Sequence, residues 1–284
     1  MNLKNITKFL IKILPEQPKS AVILGSGLGN FVDFLENSIT IPYADIPDFP
    51  LSTVAGHAGE WVFGYCRGKP IICAKGRFHY YEGLSMDNVA LPVTVSHQLG
   101  CKSIFITNAA GCLNKNWELG DFMLIKGYLD YTFRGNSNPP SISSINTSPE
   151  LLLEVKNTAS DLGILLREGI YTWTLGPSYE TPAEIQDIIK HSGNAVGMST
   201  VPEIKAAVDL NMEFIVISCL TNYGAGLEDK TLDHLSVLNM AGRVQNKYEK
   251  FVIEGALNLL KNNNILMHLE TRDKNLIQKL ICLD

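Results

Sequence analysis

No apolar run in this chain approaches the roughly 20 residues that a membrane-spanning helix needs, so no membrane partner is expected. No CxxC pair occurs among its six cysteines, Cys66, Cys73, Cys101, Cys112, Cys219 and Cys282. Four of them lie within or beside apolar runs, which reads as reduced, buried thiols rather than a disulfide frame. HExxH, clustered carboxylates and a thiolate site are all missing, so nothing supports a metal. GxSxG is missing too, which excludes a nucleophile elbow at Ser26. The glycine turn after Leu24 has no Walker lysine, and Asn30 stands where a dinucleotide fingerprint requires glycine. Excess positive charge is also absent: 24 basic against 29 acidic residues leave a net charge of −5. Nucleic acid is therefore not an expected partner, although a local basic cluster can still hold one phosphate. The amphipathic stretch Ile6 to Leu14 contains Lys8 and Lys12, ends at Pro15 and has no small-residue cleavage site. It does not read as a signal peptide, and a cytoplasmic location is the expectation.

What the chain does have is enough apolar residue, 45% of 284, for one large α/β domain. Strand-length apolar runs occur at Ala21 to Leu24, Trp61 to Tyr65, Pro70 to Ala74, Ser103 to Thr107, Phe122 to Ile125, Ile170 to Leu175, Ala195 to Met198 and Phe214 to Leu220. Arg67-Gly68 predicts a hairpin and hence a mixed sheet. Helical patterns lie at Met86 to Gln98, Pro149 to Leu162, Pro182 to Lys190, Pro202 to Leu210 and about Leu232 to Leu260. Thr181 with Glu184, and Thr200 with Glu203, both match a capping box, so these glutamates are expected to be caps. No internal repeat is present. Gly135 to Pro149 is rich in Asn, Ser and Pro and reads as an exposed loop, either a lid or a linker. Residues 1–264 are expected to form the domain, and 265–284 a C-terminal extension, either helix or loose end.

Several strand ends carry chemistry. AVILGSGLG, Ala21 to Gly29, leads a strand into amides and a Ser26 hydroxyl that suit a small anion; a turn that only permits tight packing is the other reading. KGRFHYYEG, Lys75 to Gly83, spaces Arg77, His79 and Tyr81 to share one side of an extended chain. Arginine grips phosphate bidentately and tyrosine can reach a sugar hydroxyl; a solvated basic turn is the alternative. ITNAAG, Ile106 to Gly111, is expected to end a strand, bringing Asn108 and the Ala109 amide near a ligand. GPSYETPAE, Gly176 to Glu184, offers the ring of Tyr179 and the carboxylate of Glu180. GMSTVPE, Gly197 to Glu203, offers Met198 and Ser199. In SCLTNYGAGL, Thr221 and Asn222 close a strand, and an asparagine amide both donates and accepts, which suits a purine edge. His234 follows on the last helix, as a ligand or a surface histidine. His97, His191 and His268 match no motif and read as structural.

Together, ILGSGLG, GHAGE, GRFHYYEG, TNAAG, GPSYETPAE, AVGMSTVPE and a TN followed by histidine resemble, in order, the trimeric purine nucleoside phosphorylases that act on inosine and guanosine. The resemblance spans Ala21 to about His234. It implies one α/β/α domain around a mixed, partly barrel-like sheet, assembled as a homotrimer. It implies phosphate binding by Ser26, His57, Arg77, His79, Asn108, Ala109 and Ser199, with Tyr81, Met198 and His234 holding the ribose. Tyr179, Glu180, Val196, Gly197, Thr221 and Asn222 would form the base site, and His79, Glu180 and Asn222 would carry the catalytic roles. Phosphate is then a co-substrate, no cofactor is required, and the activity is phosphorolysis of 6-oxopurine nucleosides in purine salvage. The alternatives are xanthosine or methylthioadenosine as substrate, or a nucleoside-binding protein without turnover. Aspartate usually stands in the methylthioadenosine enzymes where this chain has Asn222. Gly127 to Asp130 departs from the family's DHIN, and the later AYD pattern is missing from Ser143 to Glu150. Relatives lend an aromatic residue from this region to the neighbouring site; Tyr131 and Phe133 are the candidates here.

Overall fold

A computed structural model describes residues 2–52, 54, 58–133, 140–228 and 234–281, the last helix with side chains from 237 to 261. In chain order the elements are α1 Leu3–Ile13, β1 Ser20–Leu24, β2 Glu36–Pro42, β3 Glu60–Cys66, β4 Lys69–Lys75, α2 Met86–Val89, α3 Leu91–Gln98, β5 Ser103–Cys112, β6 Phe122–Asp130 and β7 Ser143–Ser144. There follow α4 Pro149–Asp161, β8 Leu166–Trp173, α5 Pro182–Lys190, β9 Ala195–Gly197, α6 Val201–Asp209, β10 Glu213–Tyr223 and α7 His234–Ile281.

The strands form one mixed sheet in the order β10-β6-β8-β9-β5-β1-β4-β3-β2, with β7 paired to β6. A further pairing of β10 with β5 closes β5, β10, β6, β8 and β9 into a five-stranded ring, the barrel-like part. β1 runs parallel to both β4 and β5, whereas β3 and β4 form the antiparallel hairpin that Arg67-Gly68 predicts. Both turn residues have positive φ, 49° and 70°, as a two-residue hairpin requires.

Strand alternation builds two apolar layers. Along β5, Ile104 and Ile106 join one core cluster and Phe105 the other; along β1, Ala21 and Ile23 divide from Val22 and Leu24. The first cluster is roofed by α1, α3 and α6 through Ile6, Leu10, Leu91, Val95 and Ile204, and the second by α4 and α7 through Leu151, Val155, Tyr248 and Phe251. Each such side chain contributes roughly 1.5–3 kcal/mol relative to exposure. The α/β/α layering follows from this period-2 pattern on a sheet buried on both faces.

Three expectations are corrected and one strand, β2, is added. The helix expected over Met86 to Gln98 divides at Ala90, because Pro92 has no N–H to continue the ladder and takes the first turn of α3 instead. β5 does not end at Thr107 but runs to Cys112, so Asn108 to Gly111 lie within a strand and not in a turn. β2 has no apolar run, because it is the edge of the sheet and of its two isoleucines only Ile41 is fully buried. The last helix passes Leu260 without interruption and continues to Ile281. Among the described residues no helix is long and apolar enough to cross a membrane.

Candidate active site

The ends of β1, β4, β8 and β10, the second half of β5 and the β9–α6 junction converge on one open cleft of about 780 Å³, counting its solvent-filled mouth. All the expected site residues with described side chains line it: Ser26, Arg77, His79, Tyr81, Asn108, Ala109, Tyr179, Glu180, Val196, Gly197, Met198, Ser199, Thr221 and Asn222. His57 lies outside the described residues, as does the side chain of His234, although that residue opens α7. Val237, one turn along the same helix, lines the cleft, as does Val54.

At one end the cleft is polar and its wall almost fully buried. The turn after β1 lies against β5: Thr107 Oγ1 accepts the Gly25 N–H at 3.0 Å and donates to the Ile23 carbonyl at 2.9 Å. Gly25 must be glycine, since a Cβ there would stand 2.7 Å from the Asn108 Cα. Arg77 follows β4 and is 2% exposed. Its Nε and Nη2 donate to the two carboxylate oxygens of Glu203 at 3.2 and 2.7 Å, and Nη1 donates to the Thr107 carbonyl at 2.7 Å. Three of its five N–H groups are thereby held, which fixes the plane of the guanidinium.

Glu203 is therefore not the cap expected from its spacing. Thr200, the supposed cap, makes no side-chain bond to the helix and has φ +78°. Its hydroxyl accepts from Asn108 Nδ2 at 3.0 Å and meets Ser199 Oγ at 3.1 Å. A β-branched residue in this backbone region is strained, and the two side-chain bonds hold it there. Asn108 Oδ1 is buried with no partner among the described residues, which leaves an unused polar atom in the cleft wall. By contrast, Glu184 is the predicted cap: its carboxylate takes the Thr181 N–H at 2.7 Å and its own N–H reaches Thr181 Oγ1 at 3.3 Å. The Thr181 N–H and hydroxyl, both donating to the carboxylate, hold the Glu184 carboxyl below its usual range.

His79 and Tyr81 share a side, but not through strand alternation. A short 3₁₀ turn, Tyr80–Glu82, carries Tyr81 so that its ring stacks on His79 with centroids 4.8 Å apart. Glu82 Oε1 takes the His79 N–H at 2.7 Å and lies 3.3 Å from its Nδ1, fixing the imidazole. Burial pushes the Tyr81 phenol up to about 12, so its hydroxyl remains protonated. Tyr81 and Met198 flank Gly176, where a Cβ would stand 2.9 Å from the tyrosine ring and 2.5 Å from the Met198 sulfur. An aromatic ring and a thioether are thus neighbours in the cleft lining.

The other end carries neutral donors and one carboxylate. Thr174, just past β8, donates from Oγ1 to Glu180 Oε1 at 2.6 Å. Burial raises the Glu180 pKa, an effect the Thr174 hydrogen bond opposes. Tyr179 beside it is 40% exposed. A bulge in β10 pairs Leu220 with Ala110 and Asn222 with Gly111, leaving Thr221 as the extra residue. Such an insertion re-aims the side chains after it. Asn222 accepts from Thr221 Oγ1 at 3.0 Å and donates to the Tyr223 carbonyl at 3.1 Å, which leaves it one N–H to offer. The Tyr171 hydroxyl of β8 donates to the Ser199 carbonyl at 3.2 Å. Sequence reasoning missed Thr107, Tyr171, Thr174, Thr200 and Glu203 as supporting residues. Nothing in their local spacing marks them: Thr174 acts six residues along the chain and the others across the fold.

Comparison with known proteins agrees with this geometry. Residues 19–256 match the profile of the phosphorylase superfamily. Purine nucleoside phosphorylase 1 of Geobacillus stearothermophilus is 41% identical over 269 residues, covering 92% of this chain and 98% of that protein. The bovine purine nucleoside phosphorylase, from Bos taurus, is 35% identical over 88% of this chain and 92% of its own length. Among solved structures, a schistosome purine nucleoside phosphorylase in complex with hypoxanthine superposes with a TM-score of 0.79 at 31% identity, covering 89% of this chain and 95% of that one. The chain belongs to the phosphorylase superfamily and, within it, to the purine nucleoside phosphorylases.

Proposed function

We propose that this enzyme phosphorolyses 6-oxopurine nucleosides and deoxynucleosides, inosine and guanosine above all, to the free base and (deoxy)ribose 1-phosphate, in purine salvage. One observation carries the reading: a single cleft has an oriented guanidinium at one end and a carboxylate beside an amide at the other. Phosphate lies at the Arg77 end, held by Ser26, His79, Asn108, the Ala109 amide and Ser199. The ribose lies between Tyr81 and Met198. The purine lies beside Tyr179, with Glu180 and Asn222 on its edge.

The chemistry follows from charge. As the N-glycosidic bond breaks, its electron pair passes to the purine and positive charge grows on the ribose. Phosphate oxygen, positioned beneath the sugar, stabilises that charge and bonds to the anomeric carbon. Arg77 cannot act as a bare cation, because Glu203 neutralises it; its contribution is two oriented N–H groups. Asn222 donates to N7 or O6 of the departing base. Glu180 accepts from N1–H, which a 6-oxopurine has and adenine lacks. Rejection of a substrate that leaves such groups unpaired reaches on the order of 10⁴-fold. Inorganic phosphate is the co-substrate and no cofactor takes part.

The working unit is a homotrimer in the cytoplasm. Phe133, 72% exposed, is the aromatic residue offered to a neighbouring subunit. Tyr131 is buried, its hydroxyl tied to Asp187 at 3.1 Å and His191 at 2.8 Å. Base release from inosine, guanosine, xanthosine, adenosine and methylthioadenosine, each with and without phosphate, tests the whole reading. Release indifferent to phosphate sinks the mechanism, and preference for adenosine sinks the base assignment.

A further inference from the structure

Thr174 has one hydroxyl proton and two acceptors within reach. Its Oγ1 lies 2.6 Å from Glu180 Oε1 and 3.4 Å from the Gly197 carbonyl, which already receives the Thr174 backbone N–H at 3.0 Å. The shorter distance is that of an O–H donor on a charged oxygen. If Glu180 were protonated and gave its own proton to Thr174, the threonine proton would have to turn to Gly197. At 3.4 Å that contact exceeds an ordinary O–H···O bond. The local geometry therefore makes Thr174 the donor and Glu180 the acceptor, a bond that is stronger to a carboxylate than to a carboxylic acid.

This preference works against the surroundings. Burial favours the neutral form of Glu180. The other charged group acting on it is Glu184 of α5, which pushes the same way and is itself held by the Thr181 N–H and hydroxyl. β10 contributes the neutral Thr221 and Asn222 to this end, and β9 contributes Val196 and Gly197. The phenols of Tyr179 and Tyr81 also line the cleft. Among the described residues, Thr174 makes the one side-chain hydrogen bond to the Glu180 carboxylate.

We propose that Thr174 is a positioning residue that determines base specificity. By donating to Glu180 it keeps that side chain an ionised acceptor, and so selects purines with a proton on N1 over those with a lone pair there. The inference rests on the 6-oxopurine reading and names the device that maintains it.

The test is the pH profile of kcat/KM for inosine and for adenosine on the wild type, T174V and T174S, with thermal melts to confirm folding. Valine keeps the shape of threonine and removes the donor. T174V should move the acid limb for inosine up by about one pH unit and raise the adenosine-to-inosine ratio at acid pH about tenfold. T174S keeps the hydroxyl and should retain the wild-type limb and ratio. Should T174V not fold, T174A supplies the same deletion. An unchanged limb and ratio in a folded deletion variant overturns the inference, as does T174S behaving like T174V. A wild type that itself prefers adenosine overturns the 6-oxopurine reading and this inference with it. A wild type that prefers inosine, with indifferent variants, overturns only the role of Thr174.

Discussion

The two ends of the cleft are built on different principles. At the Arg77 end the wall is closed: Arg77, Asn108, Ser199, Thr200 and Glu203 are all buried, and most of their polar atoms are already tied to one another. At the Glu180 end Tyr179 is substantially exposed, the Asn222 side chain bonds its sequence neighbours, and the carboxylate is held by the Thr174 hydroxyl and its own backbone N–H. The first end is shaped by folding itself, so changes there damage stability and activity together. The second is set by a few local bonds, so changes there can redirect specificity while the fold survives. Phosphate is common to every reaction such an enzyme could run, whereas the base is what differs.

That contrast is sharpest at Arg77. R77A should lower kcat/KM for phosphorolysis about 10³-fold, as removal of a preorganised donor does at other charge-developing sites, and steady-state kinetics with varied phosphate measures it. An unaffected enzyme would mean that the anion is gripped elsewhere. E203Q leaves the buried guanidinium without its counter-charge and should cost about 3–5 kcal/mol of stability. Urea denaturation at fixed protein concentration reads this, and the KM for phosphate should rise as well. If E203Q is as stable as the wild type, the buried pair does not brace this end.

On the other side, N222D should change the ratio of adenosine to inosine turnover on the order of 10²-fold in favour of the 6-aminopurine, with little loss of stability. Loss of stability as large as that of E203Q would erase the proposed difference between the ends. T181A removes the cap of α5 and should cost about 1 kcal/mol, read by the same denaturation. The smallest effect concerns pH. Burial raises the folded-state pKa of Glu180, so its ionised form destabilises the empty protein. E180Q should therefore be slightly more stable than the wild type above that pKa, and the advantage should vanish as the pH falls toward the unfolded value. Inosine turnover should collapse in the same variant.

Much of the cleft was legible because its residues sit in contiguous strings beside strands, where polar residues interrupt an apolar pattern. Arg77 and His79, or Tyr179 and Glu180, stand out for that reason. What supports them was not legible. Thr181-Pro182-Ala183-Glu184 and Thr200-Val201-Pro202-Glu203 carry the same local signal, yet only the first is a cap. The second is diverted because Thr200 bonds Asn108, remote in sequence, and Glu203 bonds Arg77. The same limit holds for the fold. Strands buried on both faces, such as β1 and β5, announce themselves, but β2 has one buried side chain and only the short alternation Ile39-Thr40-Ile41 to read. The extension of β5 through Asn108 to Cys112 depends on pairing with β10 and β9, partners that lie far along the chain.

The closed ring of strands has a consequence for how such a chain can vary over time. β5 is bonded to β1 and β10 in its first half and to β10 and β9 at its end. A one-residue insertion within it would exchange the faces of every position beyond, moving Asn108 out of the cleft and into the packed layer. Descendants can therefore edit this strand by substitution alone. Gain or loss of length falls most readily on segments outside the ring, such as the stretch between β6 and α4.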